Sequence, residues 1–173
     1  MDAEQLRALQ APLKARYRDD PGVARLTLSA RGTLDGDGLT CRVETPRGVV
    51  EAGLHPATGG NAEAACSGEM LLESLVACAG VTLRAVATAM GLTLRGGTVT
   101  AEADWDARGT LGVDKSAPVG LPGVRLRFEV DSDATEDQLA KLLALTERYC
   151  VVYQTLRNPP ALSAEISTAG GVG

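Results

Sequence analysis

From Gly68 to Met90 the chain reads GEMLLESLVACAGVTLRAVATAM, and any fold it adopts must find cover for this long apolar segment. At about 100° per residue, Leu71, Leu72, Leu75, Val76, Ala79, Leu83, Val86 and Met90 fall on one broad arc of a helix. Ser67 stands where an N-cap is expected, Glu69 lies in the first turn, and Gly91 closes the segment. The helix should then run about six turns, roughly 34 Å. Glu73 and Arg84 inside it would be costly in lipid, so it reads as a core helix and not a membrane span. Ala77 and Gly80 are small enough to let another element approach closely. One small sheet and one further helix leave part of this circumference bare, so a second copy in a two-fold dimer is expected to cover it.

The flanking sequence has the order of an α+β fold. Residues 3 to 18 place Leu6, Leu9 and Leu13 on one helical face, with Pro12 expected to kink or interrupt the helix and Asp19-Asp20-Pro21-Gly22 to stop it. From Val23 the period changes to two, Leu26 and Leu28 alternating with Thr27 and Ser29. This predicts a strand, a turn at Asp35-Gly36-Asp37-Gly38 and a returning arm from Leu39 to Glu44. A short strand at Gly48 to Leu54 and a loop over His55 to Asn61 follow. Strands are expected at Leu94 to Ala107 and Val124 to Asp131, separated by a flexible Gly- and Pro-containing stretch. A last helix should run from Thr135 to about Tyr149, capped by Asp133 or Thr135, then a turn at Asn158-Pro159-Pro160 and a final strand over Ala161 to Ser167. Residues 1–22 read as a helical extension and 23–173 as one domain.

With 45% hydrophobic but only 3% aromatic residues, the core must be aliphatic and offers few rings for stacking on bases. A net charge of -5 also argues against a nucleic-acid backbone as partner. Met1 to Tyr17 lacks an apolar run of signal-peptide length, so a soluble cytoplasmic protein is expected, with no membrane partner.

Four cysteines, at 41, 66, 78 and 150, form no C-x-x-C pair, and His55 is the single histidine. No metal site and no cofactor is expected. In a reducing compartment each cysteine is an inert small hydrophobe or a reactive thiol. Cys78 lies about 20° outside Leu71 at the edge of the apolar arc, towards Ser74 and Thr82. It is well past the first helical turn, so a nearby cation would be needed to favour its thiolate. Cys66 is either a buried loop residue or a second thiol at a pocket mouth. It cannot bond Cys78, because even ten helical residues span roughly 15 Å, against a Cα limit of roughly 7 Å. Cys41 alternates with apolar positions and reads as core. His55 reads as a surface histidine.

The runs SGEMLLESLVACAGVTLRAVA (Ser67 to Ala87) and TERYCVVYQTL (Thr146 to Leu156) resemble the two cysteine motifs of the OsmC/Ohr family, the osmotically inducible and organic hydroperoxide resistance proteins. With the preceding hairpin, the resemblance spans roughly residues 23 to 167. It implies a strand-swapped homodimer, two central helices packed against antiparallel sheets, and active sites at the subunit interface. It implies a thiol-dependent peroxidase in which Cys78 attacks an organic hydroperoxide and Cys150 resolves the product as a disulfide. An external dithiol, of lipoyl type in the family, would be the reductant. An arginine of the N-terminal hairpin would stabilise the thiolate: Arg31 is favoured, with Arg25 as the other candidate. The glutamate that holds this arginine lies ten positions before the cysteine in the hydroperoxide reductases, which is Gly68 here, with Glu69 one place later. Proline often follows the second cysteine; this chain has Val151. The competing expectation is a non-enzymatic dimeric module of the same fold that binds a hydrophobic ligand or partner.

Overall fold

The computed structural model describes residues 1–34, 36 and 38–168. The first helix, α1 (Ala3–Asp19), opens on a capping box: Asp2 accepts from the Gln5 N–H at 2.8 Å, and Gln5 accepts from the Asp2 N–H at 3.0 Å. Contrary to expectation, Pro12 does not interrupt it. The capping box at one end and the bond from the Asp20 N–H to the Arg16 carbonyl at the other hold the helix across the one donor that proline lacks.

Beyond a 3-10 turn at Pro21–Ala24, the strand expected from Val23 does not form. Only β1 (Gly32–Thr33) pairs, with Val43 and Arg42 of β2 (Thr40–Thr45). Leu26 and Leu28 remain 76% and 86% exposed. An alternating sequence becomes a strand only against a sheet edge, and this segment meets none in the single chain. Of the expected hairpin turn, Asp35 and Asp37 lie outside the described residues. β2 pairs antiparallel with β3 (Gly48–Gly53), and β4 (Ala65–Cys66) adds a parallel edge, giving the order β1-β2-β3-β4.

The long helix, α2 (Ser67–Met90), forms as its periodicity requires and ends on Gly91 in the left-handed conformation, φ 71°. Its N-cap is Cys66 and not Ser67, and no side chain caps it. By length and composition alone α2 would also cross a membrane. Here Leu75, Ala79, Leu83 and Ala87 form its buried stripe. Leu71, expected on that stripe, is 41% exposed. A second sheet follows, β5 (Leu94–Ala103) antiparallel to β6 (Val124–Ser132), with Val99 opposite Phe128. Gly80 brings α2 close to it: a Cβ there would lie 3.5 Å from Val99 Cγ2. The stretch between these strands contains a short helix, α3 (Ala107–Thr110).

α4 (Glu136–Tyr149) begins on a second capping box, formed by Thr135 and Gln138, and packs Leu142 against Leu83 and Ala87. Val86, Phe128, Val130 and Leu139 close that cluster. A further helix, α5 (Val151–Arg157), starts directly after Cys150 and has no counterpart in the sequence reading. The final strand expected over Ala161 to Ser167 is absent, and Leu162 and Ile166 are fully solvated. As at Leu26 and Leu28, no sheet edge among the described residues receives this segment.

A candidate thiol site at the elbow between two helices

The site rests on one residue that ends a helix and begins another. Thr146, buried, donates its hydroxyl to the Leu142 carbonyl at 2.8 Å, and its own carbonyl accepts the Cys150 N–H at 2.9 Å. Cys150 thereby caps α4. Its extended backbone then turns the chain, its carbonyl accepts from the Gln154 N–H at 2.9 Å, and its Sγ accepts from the Tyr153 N–H at 3.5 Å. The same residue therefore caps α5 as well, and it is completely buried.

α2 packs against both α4 and α5, and this brings the half-buried Cys78 to Cys150. The two thiols are pushed in opposite directions. Burial raises the Cys78 thiol, but the N–H groups of Val152 and Val151, the Cys150 thiol and the Thr82 hydroxyl together hold it below its ordinary value. For Cys150, burial again raises the thiol; the Tyr153 N–H opposes this, and the neighbouring Cys78 adds to the rise. Of the pair, Cys78 is therefore the thiol that gives up its proton first.

The other expected site residues are not gathered here. Arg31 lies 3.9 Å from Glu44 in an exposed ion pair, and no arginine or lysine is among the groups that act on the Cys78 thiol. Arg25 closes the 3-10 turn through its N–H to the Gly22 carbonyl. Glu69, exposed in the first turn of α2, lines a cavity of about 600 Å³ shared with Cys66, His55 and Trp105. His55 is less solitary than its sequence position implies: its Nδ1 accepts from the Ala57 N–H at 3.0 Å, and its ring meets Trp105 edge-on at 5.5 Å. Cys41 is half-buried in β2. Among the described residues no three His, Cys, Asp or Glu side chains cluster as metal ligands.

One feature of the site had no reading in the sequence. It is the pair of backbone donors at Val151 and Val152 that act on the Cys78 thiol. The available signal was the missing proline: a residue other than proline after Cys150 retains an N–H. A cavity of about 500 Å³ lies near the elbow, lined by Leu75, Leu121, Leu126, Tyr153, Leu156 and Arg157. Its far wall comes from the stretch before β6, which periodicity does not place.

The family model described as OsmC-like protein matches residues 59–165. The OsmC like protein from Mycoplasma pneumoniae is 18% identical with a TM-score of 0.65, over 78% of this chain and 89% of that one. An OsmC-like protein of unknown function from Vibrio cholerae is 15% identical with a TM-score of 0.62, over 76% and 94%. An organic hydroperoxide resistance protein OsmC from Legionella pneumophila is 20% identical with a TM-score of 0.58, over 77% and 90%. At these identities the solved structures show the fold. No curated protein matches the sequence.

Proposed function

Because the chain belongs to the OsmC-like family, we propose that it reduces organic hydroperoxides to alcohols through Cys78 and Cys150. The observation that carries this reading is the meeting of the two thiols with opposite biases, Cys78 towards thiolate and Cys150 towards thiol. The Cys78 thiolate attacks a peroxide oxygen, the O–O bond breaks, and the departing alkoxide takes a proton and leaves as the alcohol. Cys78 is left as a sulfenic acid. Cys150 gives up its proton and attacks that sulfur, water leaves, and the S–S bond forms. An external dithiol, of the lipoyl type the family implies, restores both thiols by two exchanges and ends as a disulfide itself. The cavity at Leu75 and Tyr153, lined mostly by apolar side chains, supports an organic substrate over hydrogen peroxide.

The working form in this reading is a cytoplasmic homodimer with swapped N-terminal strands, built on residues 23–173 with 1–22 as an extension. Exposed Leu26 and Leu28, in a segment without a strand partner, support the swap. Arg31 of the swapped segment, or Arg25 in its place, then supplies the cation missing from Cys78, with Glu69 to hold it. The second reading, a dimeric module that binds a hydrophobic ligand without chemistry, draws on Gly68 at the expected glutamate position and on the pairing of Arg31 with Glu44.

Consumption of cumene hydroperoxide in the presence of a dithiol separates the two. Wild type should turn over and Cys78→Ser should not. The same slow background from both proteins would sink the peroxidase reading in favour of the binding module.

A further inference from the structure

The elbow at Cys150 is held open by a side chain that the thiol chemistry does not use. If α4 continued as a helix, the Glu147 carbonyl would accept the N–H of the residue four positions on, Val151. It accepts instead from Gln154 Nε2, at 2.8 Å. Gln154 is half-buried in α5, and its amide is oriented by Asn158 Nδ2, which donates to Gln154 Oε1 at 3.2 Å and reaches the Gln154 carbonyl at 3.4 Å. A side-chain amide thus replaces the Val151 N–H on a helix-terminal carbonyl. The displaced N–H is one of the donors that act on Cys78.

We propose that Gln154 is a positioning residue for Cys78: by occupying the Glu147 carbonyl it keeps α4 from running on through Cys150 and leaves the Val151 and Val152 N–H groups turned towards the Cys78 sulfur. The inference takes its functional meaning from Cys78 as the attacking thiol and deepens that reading. Charged groups on the elbow do not compete for the role. Glu147 and Arg157 pair with each other at 3.9 Å, and Arg148 lies over the Tyr149 ring at 5.6 Å. From β5, packed on the other side of α2, Arg95 and Glu102 are engaged with Asp131 and Arg125. Cys150 is the one titratable group among those acting on the Cys78 thiol.

The test reads the thiolate and not turnover. In the reduced full-length protein, the rate of iodoacetamide addition to Cys78, resolved by peptide mass spectrometry, is followed against pH for wild type, Gln154→Leu and Asn158→Ala. Gln154→Leu should slow the reaction about three- to tenfold near neutral pH and leave the high-pH plateau unchanged, as expected for one lost donor to a charged sulfur. Asn158→Ala, which only loosens the orientation of the amide, should shift the profile less and in the same direction. Unchanged profiles in both variants would overturn the proposal. So would a uniform fall at every pH including the plateau, which marks a loosened fold and not a weaker thiolate. A shifted profile in a protein that consumes no hydroperoxide would remove the peroxidase reading and leave the positioning role standing.

Discussion

Val151 shows how one backbone atom can alter a thiol. As the first residue of α5 it has no intrahelical acceptor for its N–H, so the group is free to act on Cys78. Val151→Pro deletes that single donor and leaves the helix intact, because proline is tolerated at the first helical position. Cys150 before it already has the extended backbone a following proline needs, φ -74° and ψ 110°. The sign follows directly: these donors hold the Cys78 thiol down, so removing one raises it and lowers the thiolate fraction at any pH below the new midpoint. Cys78 alkylation near neutral pH should fall about two- to tenfold with an unchanged plateau. An unaltered profile would exclude the Val151 N–H as a stabilising group. Cys78 itself was placed by helical arithmetic at the border of the apolar arc, and it is half-buried there. Of the groups that lower its thiol, the two α5 amides were not legible, because residue identity carries no direct mark of where a backbone N–H points.

Among the elements, the more periodic segments are the ones the sequence places well. α2 differs from its expected span only at its first residue, and α4 starts one residue after the expected cap because Thr135 and Gln138 form a capping box. β6 lies within one residue of its expected span, but β5 ends at Ala103, four residues short, and Ala107 opens α3; Gly97 within β5 sits at φ 153° with a would-be Cβ against the Glu129 carbonyl oxygen, a position only glycine fills. α5 was missed because seven residues are too few to display a helical period, and its two leading valines read equally well as strand. The junction of α2 with α4 is where packing should matter most. Leu142 is 2% exposed against Leu83 and Ala87, so Leu142→Ala should cost about 2–5 kcal/mol in urea unfolding. A loss well below that range would mean that the two helices close up around the vacated space.

On the scale of the molecule, apolar surface is left uncovered at both ends of the chain. Leu26 and Leu28 near the start, and Leu162 and Ile166 near the end, are solvated in segments that alternate as strands do. In the proposed dimer a second copy would offer the missing edges, and light scattering on the purified protein should then give the mass of two chains. Leu28→Asp, placing a charge on a face that a partner would bury, should move the population towards the single chain. A monomeric wild type across micromolar concentrations would contradict the swapped arrangement and remove the proposed route for Arg31 to reach Cys78.

The sequence by itself determined an α+β chain organised on one apolar helix, the identity of its two motif cysteines and the family they mark, because periodicity and spacing are properties of the linear chain. Alternation alone did not make strands of the terminal segments, because no sheet edge among the described residues meets them. Only the tertiary structure decided that Cys150 caps two helices at once, that Gln154 occupies a carbonyl Val151 would otherwise fill, and that the Val151 and Val152 amides are among the groups acting on the Cys78 thiol. Those outcomes depend on how α4 stops and where α5 restarts, and a helix end is settled by competition among carbonyls and donors three to eight residues apart and not by any one residue's preference.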